Sequence, residues 1–400
     1  MTDDSRSSVP VANAIAAMQA ELTAWRRDLH RHPELGYQER RTSSVVAERL
    51  AAFGFDAVRT GVGKTGVVGT LHGRGGAGGR DKAIMIRADM DALPIVEATG
   101  AEHASANPGV MHACGHDGHT TILLGAAKRL AETRNFDGTV YFCFQPAEEG
   151  GAGAKAMLED GLLRDHPVRQ VFGLHNWPGL AAGHFALTDG PVFASADAFS
   201  ITITGRGGHA AFPHETRDPV VAGSALVQAL QTIVSRRVDP QHPAVISITQ
   251  FNAGFAHNVI PSEAVLRGTT RTFDAGVHAL IGEEMRRLCA EIGRGYGVEV
   301  ALERSPDPYP ATVNDLAATD FVEAAMRDIF GDEPITRGHP STMGGEDFAF
   351  LANEVPGCYV LIGNGDSAPL HHPEYDFNDA ALPAGVALWS GLVERALPAA

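Results

Sequence analysis

No stretch of the chain approaches the roughly 18 apolar residues that a membrane-crossing helix needs. Cysteine is scarce, with four residues at 114, 143, 289 and 358. None forms a CxxC pair and the spacing is sparse, so a disulfide framework is excluded and a cytoplasmic, reducing setting is the expectation. Positive charge is also in deficit: 32 Lys and Arg against 48 Asp and Glu leave a formal net charge of -16. A nucleic acid or an anionic membrane would be repelled over most of such a surface, so neither is expected as a partner. The first residues, Met1-Thr2-Asp3-Asp4-Ser5, lack a basic segment followed by an apolar one, and the ends carry no lipidation box. Dense glycine is confined to residues 73–79, while Val, Ile, Leu and Ala recur elsewhere, so low-complexity disorder is excluded. What is present is enough apolar sequence, 44% of 400 residues, for a large core, with two domains expected and one large domain the alternative. A small soluble molecule is the partner left standing.

Apolar spacing predicts helices over residues 11–30 and 42–53. Runs rich in β-branched and aromatic residues predict strands at 67–71, 83–88, 139–144 and 171–174, with helices at 120–131 and 153–163 between them. Strands separated by helices imply an α/β sheet with parallel pairs, whose ligands gather at strand carboxyl ends. From about Asp197 the texture becomes strand, helix, strand, strand, helix, strand, a ferredoxin-like order. Pro- and Gly-bearing segments bracket it, and α/β texture resumes at 315–330, 358–363 and 380–396. The expectation is a discontinuous catalytic domain, 1–193 with 309–400, into which a smaller α+β domain, 194–308, is inserted.

The richest chemistry lies in Met111-His112-Ala113-Cys114-Gly115-His116-Asp117-Gly118-His119, read as a loop before the 120–131 helix. A thiolate, imidazoles and a carboxylate within nine residues form a metal-ligand inventory, and the glycines let the backbone wrap closely round an ion. A solvated loop with Cys114 as a small core residue is the bland alternative. Gln145-Pro146-Ala147-Glu148-Glu149-Gly150 closes an apolar strand with two carboxylates. Adjacent strand-end side chains point to opposite sides, so one could bind a metal while its neighbour faces a water. His175, in Gly173-Leu174-His175-Asn176-Trp177, also ends an apolar strand, and His371 follows a Gly-rich loop. Singly, each histidine reads as a core or surface group; four such sites at junctions of one sheet read together as a metal centre. No G-x-S-x-G elbow follows a strand, and Ser224 falls inside a helical pattern, which argues against a serine hydrolase. A thiol enzyme using Cys114, and a non-catalytic metal-binding interaction protein, remain as rivals.

The motifs RADMDALP (87–94), MHACGHDGHT (111–120), QPAEEG (145–150), GLHNWP (173–178), GRGGHAAFPH (205–214), NVIP (258–261), GGEDF (344–348) and LHHP (370–373) span nearly the whole chain in order. In them the chain resembles the hippurate hydrolase and N-acyl-amino-acid amidohydrolase family of two-metal peptidases, which includes indole-acetyl-amino-acid hydrolases. The resemblance implies two divalent ions, zinc, manganese or nickel, bridged by Cys114. His116 and His175 would complete one ion, Glu149 and His371 the other, with Glu148 as general base. It further implies a homodimer or dimer-based oligomer formed through the inserted domain. His209 would then reach the neighbouring subunit's site, while Asn258 and Arg271 hold the carboxylate of an N-acyl amino acid. Relatives with a His-x-Asp motif take a metal ligand where this chain has Asp89-Met90-Asp91, so Asp89 is not counted and His116 takes that place. The implied reaction is metal-dependent hydrolysis of an N-acyl amino acid, with a dipeptidase or carboxypeptidase of the same mechanism as the alternative.

Overall fold

A computed structural model describes Val9 and residues 11–399; the N-terminal segment Met1–Ser5 lies outside the described residues. The chain divides into two compact units, one comprising the described residues through Val192 with Val313–Pro340 and those from Asp347 onward, the other Phe193–Thr312 with Ser341–Glu346.

The larger unit is built on an eight-stranded sheet, in spatial order Ala57–Val62, Gly66–His72, Thr139–Gln145, Ala83–Asp89, Gln170–Pro178, Gly357–Gly365, Phe185–Leu187 and Ile335–Arg337. Its middle is parallel: Ala83–Asp89 pairs in that sense with Thr139–Gln145 and with Gln170–Pro178, which in turn pairs with Gly357–Gly365. The strands towards the Ala57 edge join antiparallel. Every residue of Ala83–Asp89 is buried, as expected of a strand covered on both faces. Helix His116–Thr133 packs on this strand and against Gln19–Arg31 and Leu382–Ala396, while Gly153–Glu159 and Phe348–Glu354 pack together.

Several expected elements begin or end elsewhere. The 11–30 helix is two, Asn13–Ala16 and Gln19–Arg31. The 153–163 helix breaks at Gly161, whose φ of +89° ends one helix and caps the next. The most consequential shift is at residue 116: the helix expected from Thr120 begins at His116, so only Gly115 and its predecessors stay in the loop. Short strands at Ala57–Val62, Phe185–Leu187 and Ile335–Arg337, the first and last of them at the sheet's edges, carry too little pattern to be read from sequence.

The second unit is a four-stranded antiparallel sheet ordered Ala244–Ala253, Glu263–Thr272, Ser195–Thr204 and Glu299–Arg304, with helices Pro219–Arg236 and Ala275–Tyr296. Phe199, Ile201 and Ile203 alternate inward and form its core with Leu226, Leu230, Ile281 and Met285. Ser224 lies within Pro219–Arg236. Among the described residues no helix is long and apolar enough to cross a membrane.

Candidate metal centre

The four parallel strands bring one cluster of side chains to their carboxyl ends. Asp91 follows Ala83–Asp89, Glu148 and Glu149 follow Thr139–Gln145, His175 lies near the end of Gln170–Pro178, and the segment after Gly357–Gly365 leads to His371. Cys114 and His116 flank the start of helix His116–Thr133. Gly115 between them has φ +91°, and a Cβ there would run into the Asn176 side-chain oxygen and the Tyr375 hydroxyl. Only glycine suits this corner. The backbone N–H of His371 donates to the Ala113 carbonyl at 2.8 Å, tying the C-terminal segment to the Cys114 loop.

Among the described residues the donor atoms form five groups whose members lie within 4.8 Å of one another, Asp89 with His116 and His119 being one, and two of the five share one sulfur. Cys114, His116 and His175 each offer an atom within 4.8 Å of the others, and so do Cys114, Glu149 and His371. Cys114 Sγ is 3.3 Å from His175 Nε2, and His371 Nε2 is 3.2 Å from Glu149 Oε1. The Glu148–Glu149 pair departs from expectation. The strand ends at Gln145, and Ala147, at φ +49°, turns the chain so that both carboxylates come within 4.8 Å of each other and of His116, rather than pointing to opposite sides.

The residues present fit a pair of divalent cations. His116 Nδ1 faces Asp91 Oδ1 at 3.2 Å, while its buried Nε2 has no hydrogen-bond partner. Glu149 Oε1 is buried and likewise without an aligned donor. His175 Nδ1 donates to the Asn176 carbonyl at 2.7 Å, which directs the Nε2 lone pair toward the sulfur. Imidazoles held at one nitrogen by an acceptor, with the other nitrogen turned inward, are arranged as metal ligands are. Electrostatics agree. Burial, with Glu149, Glu148 and Asp89 nearby, pushes the Cys114 thiol well up. Burial opposes an imidazolium at His116, but Asp89 and Asp91 outweigh it and lift that group to about 10. Burial and the neighbouring His119 push His175 well down, keeping it neutral. The pocket holds more negative charge than its own protons comfortably neutralise.

A buried polar shell supports the cluster, and several of its members carry no distinguishing signal in the sequence. Asp91 Oδ2 accepts the Glu149 N–H at 2.9 Å, so one carboxylate orients both His116 and the backbone of Glu149. Asp89 lies outside both sulfur-sharing triads. It meets His119 Nδ1 at 2.6 Å and accepts from Arg87 at 2.8 Å, with His116 Nε2 3.7 Å away. Arg87 also donates to Gln145 at 2.7 Å and Asp347 at 2.9 Å. The Asp347 N–H donates to Glu148 Oε1 at 3.3 Å. The motifs RADMDALP and GGEDF contained these acids, but their partners are remote in sequence.

His209, Asn258 and Arg271 belong to the second unit. His209 pairs with Val259 across a short antiparallel ladder, and the Asn258 carbonyl accepts from Ala210 N at 3.0 Å. The structure thus brings His209 and Asn258 together. His209 is exposed, and its Nδ1 accepts the Ala211 N–H at 3.1 Å, which leaves Nε2 as the donor nitrogen. Arg271 stands apart on Glu263–Thr272, half-buried, donating to the Thr270 carbonyl at 2.9 Å and to the Thr269 hydroxyl.

Residues 85–395 match the model of peptidase family M20/M25/M40. Over 96% of this chain and 98% of the relative, the sequence is 42% identical to a hippurate hydrolase of Campylobacter jejuni. An N-acetylcysteine deacetylase of Bacillus subtilis is 39% identical over 92% of this chain and 94% of its own. Among solved structures, the Bacillus subtilis YXEP protein, described as a dinuclear metal-binding peptidase of family M20, superposes with a TM-score of 0.80. It shows 35% identity, with 96% of this chain and all of that one covered.

Proposed function

From the premise that the chain belongs to peptidase family M20/M25/M40, we propose that it is a metal-dependent amidohydrolase that cleaves N-acyl amino acids into a carboxylic acid and a free amino acid. The observation that carries this reading is the pair of donor triads sharing Cys114 Sγ, with Glu148 beside them. His116 and His175 would hold one ion with Cys114, and Glu149 and His371 the other. When bound, two such ions would lower the pKa of a water toward neutrality and polarise the scissile carbonyl. The thiolate favours a soft ion such as zinc, with manganese and nickel as alternatives.

The chain's own groups do the rest. Glu148 takes a proton from the attacking water as its oxygen bonds to the carbonyl carbon, then delivers that proton to the amide nitrogen as the C–N bond breaks. The Asp347 N–H at Glu148 Oε1 keeps the carboxylate aimed. Asn258 and the Arg271 guanidinium, which stand apart within one chain, would meet the substrate carboxylate from the two subunits of a dimer, and this favours an N-acyl amino acid over a plain amide. His209, a donor at Nε2, stabilises the developing oxyanion of the partner subunit's site.

That last role requires a dimer. The second unit's β-α-β-β-α-β order supports reading it as a ferredoxin-like dimerisation domain inserted into the catalytic one. Its Ala244–Ala253 strand is a sheet edge whose C-terminal half is exposed, with Phe251 39% accessible and Phe255, just past the strand's end, 89% accessible. An unpaired edge with exposed aromatics is a surface that a second copy would cover.

The test is turnover of a panel of N-acyl amino acids before and after chelation, with zinc, manganese or nickel then restored singly. Chelation is expected to abolish activity, and one or more ions to return it. Activity that survives complete removal of metal would point to a Cys114 thiol enzyme, and no turnover with any metal to a binding protein.

A further inference from the structure

Among the buried carboxylates that the mechanism above leaves unused, Glu39 lies against the turn that carries Glu148. Glu39 precedes helix Arg40–Ala52 and is fully buried. Its Oε1 accepts the Ala147 N–H at 2.8 Å, and its Oε2 accepts the Thr65 hydroxyl at 2.5 Å. Ala147 is the residue immediately before Glu148. It is buried and stands at φ +49° and ψ +47°, the left-handed region that a residue bearing a Cβ enters only at a cost. Something must hold it there, because a return to an ordinary conformation would swing the following carboxylate.

Glu39 is well placed to do so, because its own position is anchored. The Glu34 carboxylate accepts Arg41 N at 3.0 Å and Thr42 N at 2.8 Å, capping the helix that Glu39 precedes. The Glu34 carbonyl accepts Ala92 N at 2.9 Å, which ties the same segment to the Asp91 corner. Gly36 presses on the turn so closely that a Cβ there would lie 3.1 Å from Ala147. Three carboxylates thus grip the chain around the pair through backbone N–H groups. Glu39 holds residue 147, Asp91 holds residue 149 at 2.9 Å, and Asp347 holds residue 154 at 2.9 Å.

We propose that Glu39 is a positioning residue: by accepting the Ala147 N–H it keeps that residue left-handed and so sets the direction of the Glu148 carboxylate. The proposal rests on Glu148 being the general base. It needs an acceptor at Oε1 rather than a negative charge, and burial raises the carboxyl pKa of Glu39, so a neutral side chain suits the site.

Four variants test it, each with bound metal and thermal stability measured beside kcat and KM. Glu39→Ala should lower kcat roughly 10- to 100-fold, the scale of a small misplacement of a reacting group, with KM within about twofold and both ions retained. Glu39→Gln keeps an acceptor for Ala147 and should retain most of kcat. Thr65→Val removes the other hydrogen bond to Glu39 and should lower stability while sparing kcat. Adding Ala147→Gly to Glu39→Ala should recover part of kcat, because glycine adopts the left-handed conformation without help. If Glu39→Ala does not fold, Glu39→Met, which fills the volume without an acceptor, replaces it under the same criteria. Full kcat in the Ala or Met variant overturns the proposal. So do a Gln variant as slow as Ala, a Thr65→Val as slow as Ala, or a double variant no faster than the single. Glu148→Gln is assayed alongside. If it is active, the general-base assignment falls and this proposal with it, whereas an active Glu39→Ala beside an inactive Glu148→Gln overturns this proposal alone.

Discussion

Glu148 and Glu149 are chemically identical neighbours, and their surroundings are what separate their tasks. Glu149 has its backbone held by Asp91 and an oxygen beside His371 and Cys114, whereas Glu148 accepts the Asp347 N–H. Glu148→Gln is therefore expected to keep both ions and lose about 10²–10⁴ in kcat, the usual worth of an acid/base group. Glu149→Gln should lose metal first, and Cys114→Ala should lose both ions, because one sulfur serves both triads. Elemental analysis beside turnover reads these outcomes, and reversed phenotypes in the glutamate pair would reverse the assignment. At this scale the donor types and their order were legible, since Cys114, His116, Glu149, His175 and His371 stand in motifs whose residues have few other uses. Asp91, Asp347 and Glu39 were not, because an acid that acts on another residue's N–H looks like any other acid in a sequence.

At the scale of elements, helix His116–Thr133 matters most, since it carries His116 into the cluster. Its first turn is held by Asp117, whose Oδ2 meets buried His30 Nδ1 at 2.8 Å, with His30 Nε2 3.3 Å from Glu97. Burial opposes protonation of His30, but Asp117 and Glu97 prevail and lift it to about 9. Because the folded pKa lies above the unfolded value, the stabilisation is fully present below about pH 6.5 and is lost as pH rises through 9. Its size is on the order of 3 kcal/mol. Melting of the metal-free protein should thus fall between about pH 6.5 and 9, and His30→Gln should reduce that slope, leaving the share that His116, lifted to about 10, contributes in the same direction. Farther along the same turn, Gly118 packs so tightly that a Cβ would collide with the Phe377 ring. Gly118→Ala should cost about 1–3 kcal/mol of stability in a denaturation curve. Periodicity alone placed this helix four residues late, because glycine and histidine are weak helix formers and their support is tertiary.

For the whole molecule, the proposed dimer makes a demand that no single chain can meet. If His209 of one subunit completes the site of the other, mixing inactive Glu148→Gln and His209→Ala proteins should restore about a quarter of wild-type activity once subunits have exchanged. Half of the molecules would then be heterodimers, and one site in each would hold both intact groups. Mixtures that exchange and stay inactive would remove His209 from the partner's site, and an active monomer would do so directly.

The sequence by itself determined the chemical inventory and the scaffold that carries it. Alternating and 3.6-residue patterns record burial, which is local along a strand or helix, so the parallel strands with donors at their carboxyl ends could be read from residue order. Only the tertiary structure decided how the donors are shared and aimed. That Cys114 joins two triads, that Glu148 and Glu149 turn to the same place, and that Glu39, Asp91 and Asp347 grip the turn all depend on left-handed torsions at Gly115 and Ala147 and on contacts between distant segments. Local spacing carries no record of either, because a positive φ at an alanine is imposed by its neighbours in space rather than by its neighbours in the chain.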